Sequence, residues 1–336
     1  MVVQNQSHRK VELKKKRKKV FSIAFISFLT GFTQIVFSGY CYSGQASTEL
    51  LPLPEFNLVP SVDLIERGHY LVYGPAGCAR CHTEREKQEQ LDQGNEIPLI
   101  GGRHWSLVLG DIYAANLTGD KNTGLGEWSS TEIARAIRYG IGKKGEVLAP
   151  FMEYTDITDE DLQAIVAFLK SLPAENHVVP QNRWSMVGKI ACWFLGPKQP
   201  SQPLRTSIER AATPEYGEYL ANTLSQCVAC HTQRSQLTGL FTGPQLGGGT
   251  LFPYELDENY NLVPPNITTA PRTGRLANLS EAQFIERMRA GSAVKGTHMP
   301  WGAFKRAEDN DLIAIYRYIK SVGPVEFETG PVLQPR

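Results

Sequence analysis

Apolar residues recur at helical spacing in two separate parts of this chain. Leu162, Ile165, Val166, Leu169 and Leu172 share one face, preceded by the cap pattern Thr158-x-x-Asp161 and halted by Pro173. Leu312, Ile315, Tyr316 and Ile319 repeat that face further on. The capping boxes Ser129-x-x-Glu132 and Ser280-x-x-Gln283 predict two more helices, ending near Gly140 and Gly291. No alternating run of strand length stands out, so the pattern predicts an all-α protein with long Gly- and Pro-containing loops.

The repetition is general. Gly68-His69-Tyr70-Leu71 returns as Gly217-Glu218-Tyr219-Leu220, and Asn116-Leu117-Thr118 returns as Asn266-Ile267-Thr268. Asp161-Leu162 returns as Asp311-Leu312, so the chain is a duplication. One unit is expected over residues 61–173 and a second over 213–324. Between them, residues 174–212 carry Pro180, Pro197, Pro200 and Pro203, the marks of a connector. Trp184, Met186, Ile190, Cys192, Trp193, Phe194 and Leu195 give that connector enough apolar surface to lie against one or both units.

Residues 1–46 follow a different pattern. A basic cluster from Arg9 to Lys19 precedes the apolar run Val20 to Phe37, which is followed by small and polar residues. This is the order of an export signal, with Gly44 and Ala46 as the small pair favouring a cut after Ala46; the alternative is a retained N-terminal membrane anchor. Either reading exports the body, placing it in the periplasm, free or anchored to the inner membrane through residues 20–37. The same segment holds eight Lys or Arg against one acid, Glu12, so +7 belongs to the head and −6 to the body of a chain whose formal charge is +1. A body of that sign has no general attraction for phosphate backbones, which excludes nucleic-acid binding. The 41% apolar content excludes collagen-like and wholly disordered classes.

Candidate chemistry lies in the cysteines. Four of the six form Cys78-Ala79-Arg80-Cys81-His82 and Cys227-Val228-Ala229-Cys230-His231. Two thiols one helical turn apart can add to the vinyl groups along one porphyrin edge, and the following imidazole is then held under the iron. Each motif offers three groups too tightly placed for a zinc tetrahedron. Two covalently bound haem c groups are therefore expected, with His82 and His231 as proximal ligands.

Met152 and Met299 are the expected sixth ligands. Each lies in a loop beside a proline, Pro150 or Pro300, just before the unit's final helix. A thioether is soft and neutral and favours the ferrous state. His298 is the rival of Met299, Met288 reads as core, and His69, His104 and His177 as surface or loop residues. Cys192 is left over once the head is removed and reads as a small buried hydrophobe, with a thiolate haem ligand as the alternative.

Gly-x-Tyr-Leu ahead of Cys-x-x-Cys-His-Thr, Asn-Leu-Thr with Thr123 to Ser129, and Thr158 to Leu162 leading into AIVAFLKSLP together resemble the multihaem cytochrome c subunits of membrane-associated bacterial alcohol and sugar-acid dehydrogenases. The resemblance covers residues 66–324. It implies two tandem class I cytochrome c domains and a subunit that carries electrons from a catalytic dehydrogenase partner toward a membrane quinone or cytochrome acceptor of the respiratory chain. Those subunits typically carry three haem domains, whereas two motifs stand here. Met152 lacks the Pro that usually follows the ligand, and Gly323 replaces a residue of the closing Leu-Pro. The alternative is a dihaem enzyme, either a peroxidase with one open iron position or a small sulfur-compound oxidase using Cys192.

Overall fold

The computed structural model describes residue 53 and residues 59–149, 151–152, 154–195, 197, 199–235, 239–292 and 294–336. The signal or anchor expected over residues 1–46 lies outside them.

The first repeat opens with α1 (Val62–Tyr73), capped by Ser61, whose hydroxyl accepts from Leu64 N. The attachment helix α2 (Cys78–Cys81) and α3 (Gln88–Asp92) follow, then strands β1 (His104–Leu107) and β2 (Gly110–Tyr113). Helix α4 (Ser130–Tyr139) starts at the reciprocal Ser129/Glu132 capping box and stops at Gly140, in the left-handed conformation at φ 64°. Helix α5 (Asp159–Ser171) is capped by Thr158 and ends where Leu172 turns extended before Pro173. The connector contributes β3 (Arg183–Trp184) and α6 (Met186–Leu195).

The second repeat reproduces the order. Helix α7 (Pro214–Tyr219) runs on through a π turn, Leu220–Leu224, to the attachment helix α8 (Cys227–His231). Strands β4 (Phe252–Pro253) and β5 (Tyr260–Leu262), and helices α9 (Glu281–Ala290), α10 (Trp301–Arg306) and α11 (Asp309–Val322), come next, and β6 (Leu333–Pro335) closes the chain.

The all-α expectation needs correction. Two three-stranded antiparallel sheets are present, ordered β1-β2-β3 and β4-β5-β6. Their strands are two to four residues long and bury only Ile112 and Leu262, too little for an alternating pattern to show. The molecule is otherwise largely helical, as the periodicity implies.

Close helix crossing sets the core. A Cβ on Gly68 of α1 would lie 1.9 Å from the Ala164 carbonyl oxygen of α5, and one on Gly217 of α7 would lie 1.9 Å from that of Ala314 on α11. Leu71, Leu162 and Ile165 of the first repeat join Tyr216, Leu220, Leu312 and Ile315 of the second in one continuous buried cluster. Each such aliphatic side chain contributes about 1.5–3 kcal/mol on burial. The connector lies against α5, where the Asp159 and Glu160 amides donate to the carbonyls of Arg205 and Thr206. Those bonds satisfy two amides that a helix start leaves open.

The Asn-x-Thr segments are internal fasteners. Asn116 donates to the Glu175 carbonyl at 2.9 Å and accepts from Thr118 N; Asn266 donates to the Val325 carbonyl at 2.7 Å and accepts from Thr268 N. Both side chains are buried, so the repeated segments share one loop structure.

Candidate haem site

Both attachment helices begin from a left-handed residue, Gly77 at φ 60° and Gln226 at φ 50°. That turn brings each Cys-x-x-Cys-His inward. Burial pushes the Cys78 and Cys227 thiols up to about 12 and raises those of Cys81 and Cys230. They are therefore apolar, protonated thiols rather than an exposed thiolate pair.

The two imidazoles are set alike. His82 Nδ1 lies 2.8 Å from the Ala115 carbonyl oxygen, and His231 Nδ1 lies 2.8 Å from that of Pro265. A carbonyl only accepts, so Nδ1 carries the proton and the lone pair is on Nε2. Burial lowers both histidine pKa values, against the smaller opposing effect of those carbonyls, which keeps the rings neutral. Their own carbonyls are also held, His82 O by Gly101 N at 2.9 Å and His231 O by Gly248 N at 2.7 Å. Gly101 and Gly248 both sit at φ 76°, with backbone oxygens about 2.5 Å from where a Cβ would be, so these turns require glycine. The carbonyl acceptors and these glycines escaped the sequence reading; the signal was the pair Leu99-Ile100-Gly101-Gly102 and Leu246-Gly247-Gly248-Gly249.

A neutral imidazole with a fixed Nδ1–H and a free Nε2, beside two half-buried thiols, is a donor set that fits haem c. Among the described residues no three or more His, Cys, Asp or Glu converge as a group that could hold a bare metal ion.

Met299 is partly buried against the core, and its carbonyl accepts from Trp301 N at 2.9 Å. Met152 is also partly buried. Met288 packs on the core, and His298 lies 3.9 Å from Glu255. His69 and His104, half exposed, face Glu96 and Asp111 at 3.0 and 3.1 Å.

One contact was not foreseeable from either repeat alone. Arg80, between the two cysteines of the first motif, donates to the Thr297 carbonyl at 2.6 Å, two residues before Met299. Arg103 holds the Arg80 carbonyl at 2.9 Å and pairs with Glu255 of the second repeat at 2.9 Å. A Cβ on Gly302 of α10 would lie 1.7 Å from the Leu91 carbonyl oxygen of α3. The methionine loop of one repeat thus rests on the attachment region of the other.

Cys192 requires a correction. It is disulfide-bonded, not a lone buried thiol. This removes it as a thiolate ligand and as the reactive group of a sulfur oxidase.

The family model for cytochrome c matches residues 65–173. These residues are a cytochrome c domain. Such a domain carries covalently bound haem c, so haem chemistry belongs to this chain. The fructose dehydrogenase cytochrome subunit of Gluconobacter japonicus is 27% identical over 281 residues, 79% of this chain and 54% of that protein. The gluconate 2-dehydrogenase cytochrome c subunit of Pantoea cypripedii is 30% identical over 285 residues, 77% of this chain and 60% of that protein. A diheme cytochrome c-type protein of Cereibacter sphaeroides is 26% identical over 273 residues, 76% of this chain and 85% of that protein. The chain thus spans somewhat more than half the length of the first two. The resemblance to the cytochrome c subunits of dehydrogenases holds.

Proposed function

We propose that the protein is an exported, periplasmic dihaem carrier that takes electrons from a dehydrogenase catalytic subunit and passes them toward a quinone or cytochrome acceptor of the respiratory chain. The second repeat, residues 213–324, is on this reading a second cytochrome c domain. The observation that carries it is the matched pair of imidazoles, His82 and His231, each with Nδ1 engaged by a carbonyl and Nε2 free.

Cys78 and Cys81 would tether one haem and Cys227 and Cys230 the other; His82 with Met152, and His231 with Met299, would be the axial ligands. When bound, each haem supplies a one-electron couple. The chain's own residues do the rest. The Ala115 and Pro265 carbonyls orient the rings and raise their basicity, while partial burial of the thiols and of His82, and full burial of His231, limit the access of water. Arg80 and Arg103 clamp the first motif to the loop that ends in Met299, keeping the two sites at a fixed separation. The apolar run Val20 to Phe37 offers association with the membrane.

Pyridine hemochrome analysis of the protein from native membranes, with identification of co-purifying subunits, tests this reading. Two haems per chain and a dehydrogenase subunit in the same fraction are expected. A single haem, or a partner-free soluble protein, would contradict it.

A further inference from the structure

The loop that carries Met299 is held from the other half of the molecule. Arg80 lies inside the first Cys-x-x-Cys-His with a largely buried side chain, and its fork spans two elements. Nη1 donates to Asp92 Oδ1 of α3 at 2.9 Å, and Nη2 donates to the Thr297 carbonyl at 2.6 Å. The Thr297 hydroxyl accepts from Trp301 Nε1 at 2.9 Å, so residues 297–301 close a short loop around Met299. Arg306 fastens the far end of α10 by donating to Glu96 at 2.7 Å and to the Gly94 carbonyl, both in the first repeat. A planar guanidinium that bridges a carboxylate and a carbonyl fixes both in direction as well as in distance.

The arrangement is not returned. Ala229 stands in the second motif where Arg80 stands in the first, and a methyl group reaches no carbonyl. The loop ahead of Met152 is closed on its own repeat instead, by the Ile141–Val147 bridge and a 2.7 Å bond from Leu148 N to the Gly140 carbonyl. Tyr73, Ala79 and Arg306 line a seam of about 20 Å³ under α10, whereas the residues in register with them, Asn222, Val228 and Asp156, border a cavity of about 450 Å³.

We infer that Arg80, although it belongs to the first haem motif, is a positioning residue for the sixth ligand of the second haem, and that this coupling runs one way. The inference rests on Met299 being that ligand. Without the arm, the thioether should give way more readily and leave its place open to an added base.

The test titrates the oxidised, full-chain holoprotein with imidazole and follows the near-infrared thioether bands, using Met152→Ala and Met299→Ala to assign one band to each haem. In Arg80→Gln the Met299 band should be lost at about tenfold lower imidazole than in the wild type, with the Met152 band responding as before and the haem count still two. Arg80→Lys keeps the charge but not the fork and should fall between the two. Asp92→Asn lies outside the motif and decides the question if Arg80→Gln impairs haem attachment. It should shift the Met299 band in the same direction, because it frees the arm that Asp92 steadies. A Met299 band that does not move in these variants, or a Met152 band that moves equally, would overturn the inference while leaving the axial reading intact. A wild-type second haem with no thioether band, or a Met299→Ala protein that keeps both bands, would overturn the two together.

Discussion

The Tyr70 hydroxyl donates to Asp311 Oδ2 at 2.7 Å, and the bond crosses between the repeats. Its counterpart crosses the other way, Tyr219 to Asp161 Oδ2 at 2.8 Å. Each phenol oxygen also accepts a backbone amide at the start of the opposing final helix, Glu308 N for Tyr70 and Thr158 N for Tyr219. The duplicated units are thus joined by an exchange of identical bonds, the pattern of an isologous interface within one chain.

The exchange is not energetically equal on its two sides. Asp161 keeps a bidentate Arg67 at 2.9 and 3.2 Å when Tyr219 is removed, whereas Asp311 loses the 2.7 Å bond it accepts when Tyr70 is removed. Tyr70→Phe should cost about 1–3 kcal/mol and Tyr219→Phe less. Thermal midpoints of the two holoproteins give the ranking; the reverse order would contradict the assignment.

Acid should reveal Asp311 separately. Burial is the main cause that raises its pKa above the ordinary 3.8, with Tyr70 and Arg67 acting in the opposite direction. The folded state therefore binds the proton more tightly than the unfolded one. The resulting stability is full below pH 3.8 and is lost as pH rises through the higher folded value. Measured against pH, the wild-type midpoint relative to Asp311→Asn should fall over that interval and then level. A difference that grows with pH would exclude this sign.

Helix crossing depends on two missing side chains. Gly68→Ala or Gly217→Ala places a Cβ within 2 Å of a helix carbonyl oxygen, and neither helix backbone can yield cheaply. Each should destabilise by about 3 kcal/mol or more. Unchanged denaturation midpoints would mean that the crossings are looser than described.

The axial assignments are open to a spectroscopic test. Met152→Ala and Met299→Ala should each abolish one of two thioether-to-ferric-iron absorption bands and lower the reduction potential of that haem alone, within the roughly 0.8 V that axial ligands span. Redox titration reads the second effect. A variant that keeps both bands would remove that methionine from the iron.

Much of this was legible in the chain. Thr158, Ser129 and Ser280 cap helices because a hydroxyl three residues ahead of an amide is a local signal, and the faces led by Leu162 and Leu312 are buried as their spacing implies. The sheets were hidden because β3 and β6 join their partners from far along the chain. Gly68 and Gly217 were readable as crossing points, since an in-register glycine on an apolar helix needs a reason. The bonds of Tyr70 and Tyr219 were not, because a repeat reveals which positions match and not which of them meet. The Cys192 bond was missed because the spacing of cysteines along a chain does not show which of them meet.

Arg67 of the first repeat stands where the second has Tyr216. The carboxylate of one half therefore holds a bidentate guanidinium beside its phenol, whereas that of the other takes its hydrogen bond from a phenol and feels Arg67 only at a distance. Duplication provides two halves of common descent, and this divergence is one that keeps their buried carboxylates from being interchangeable.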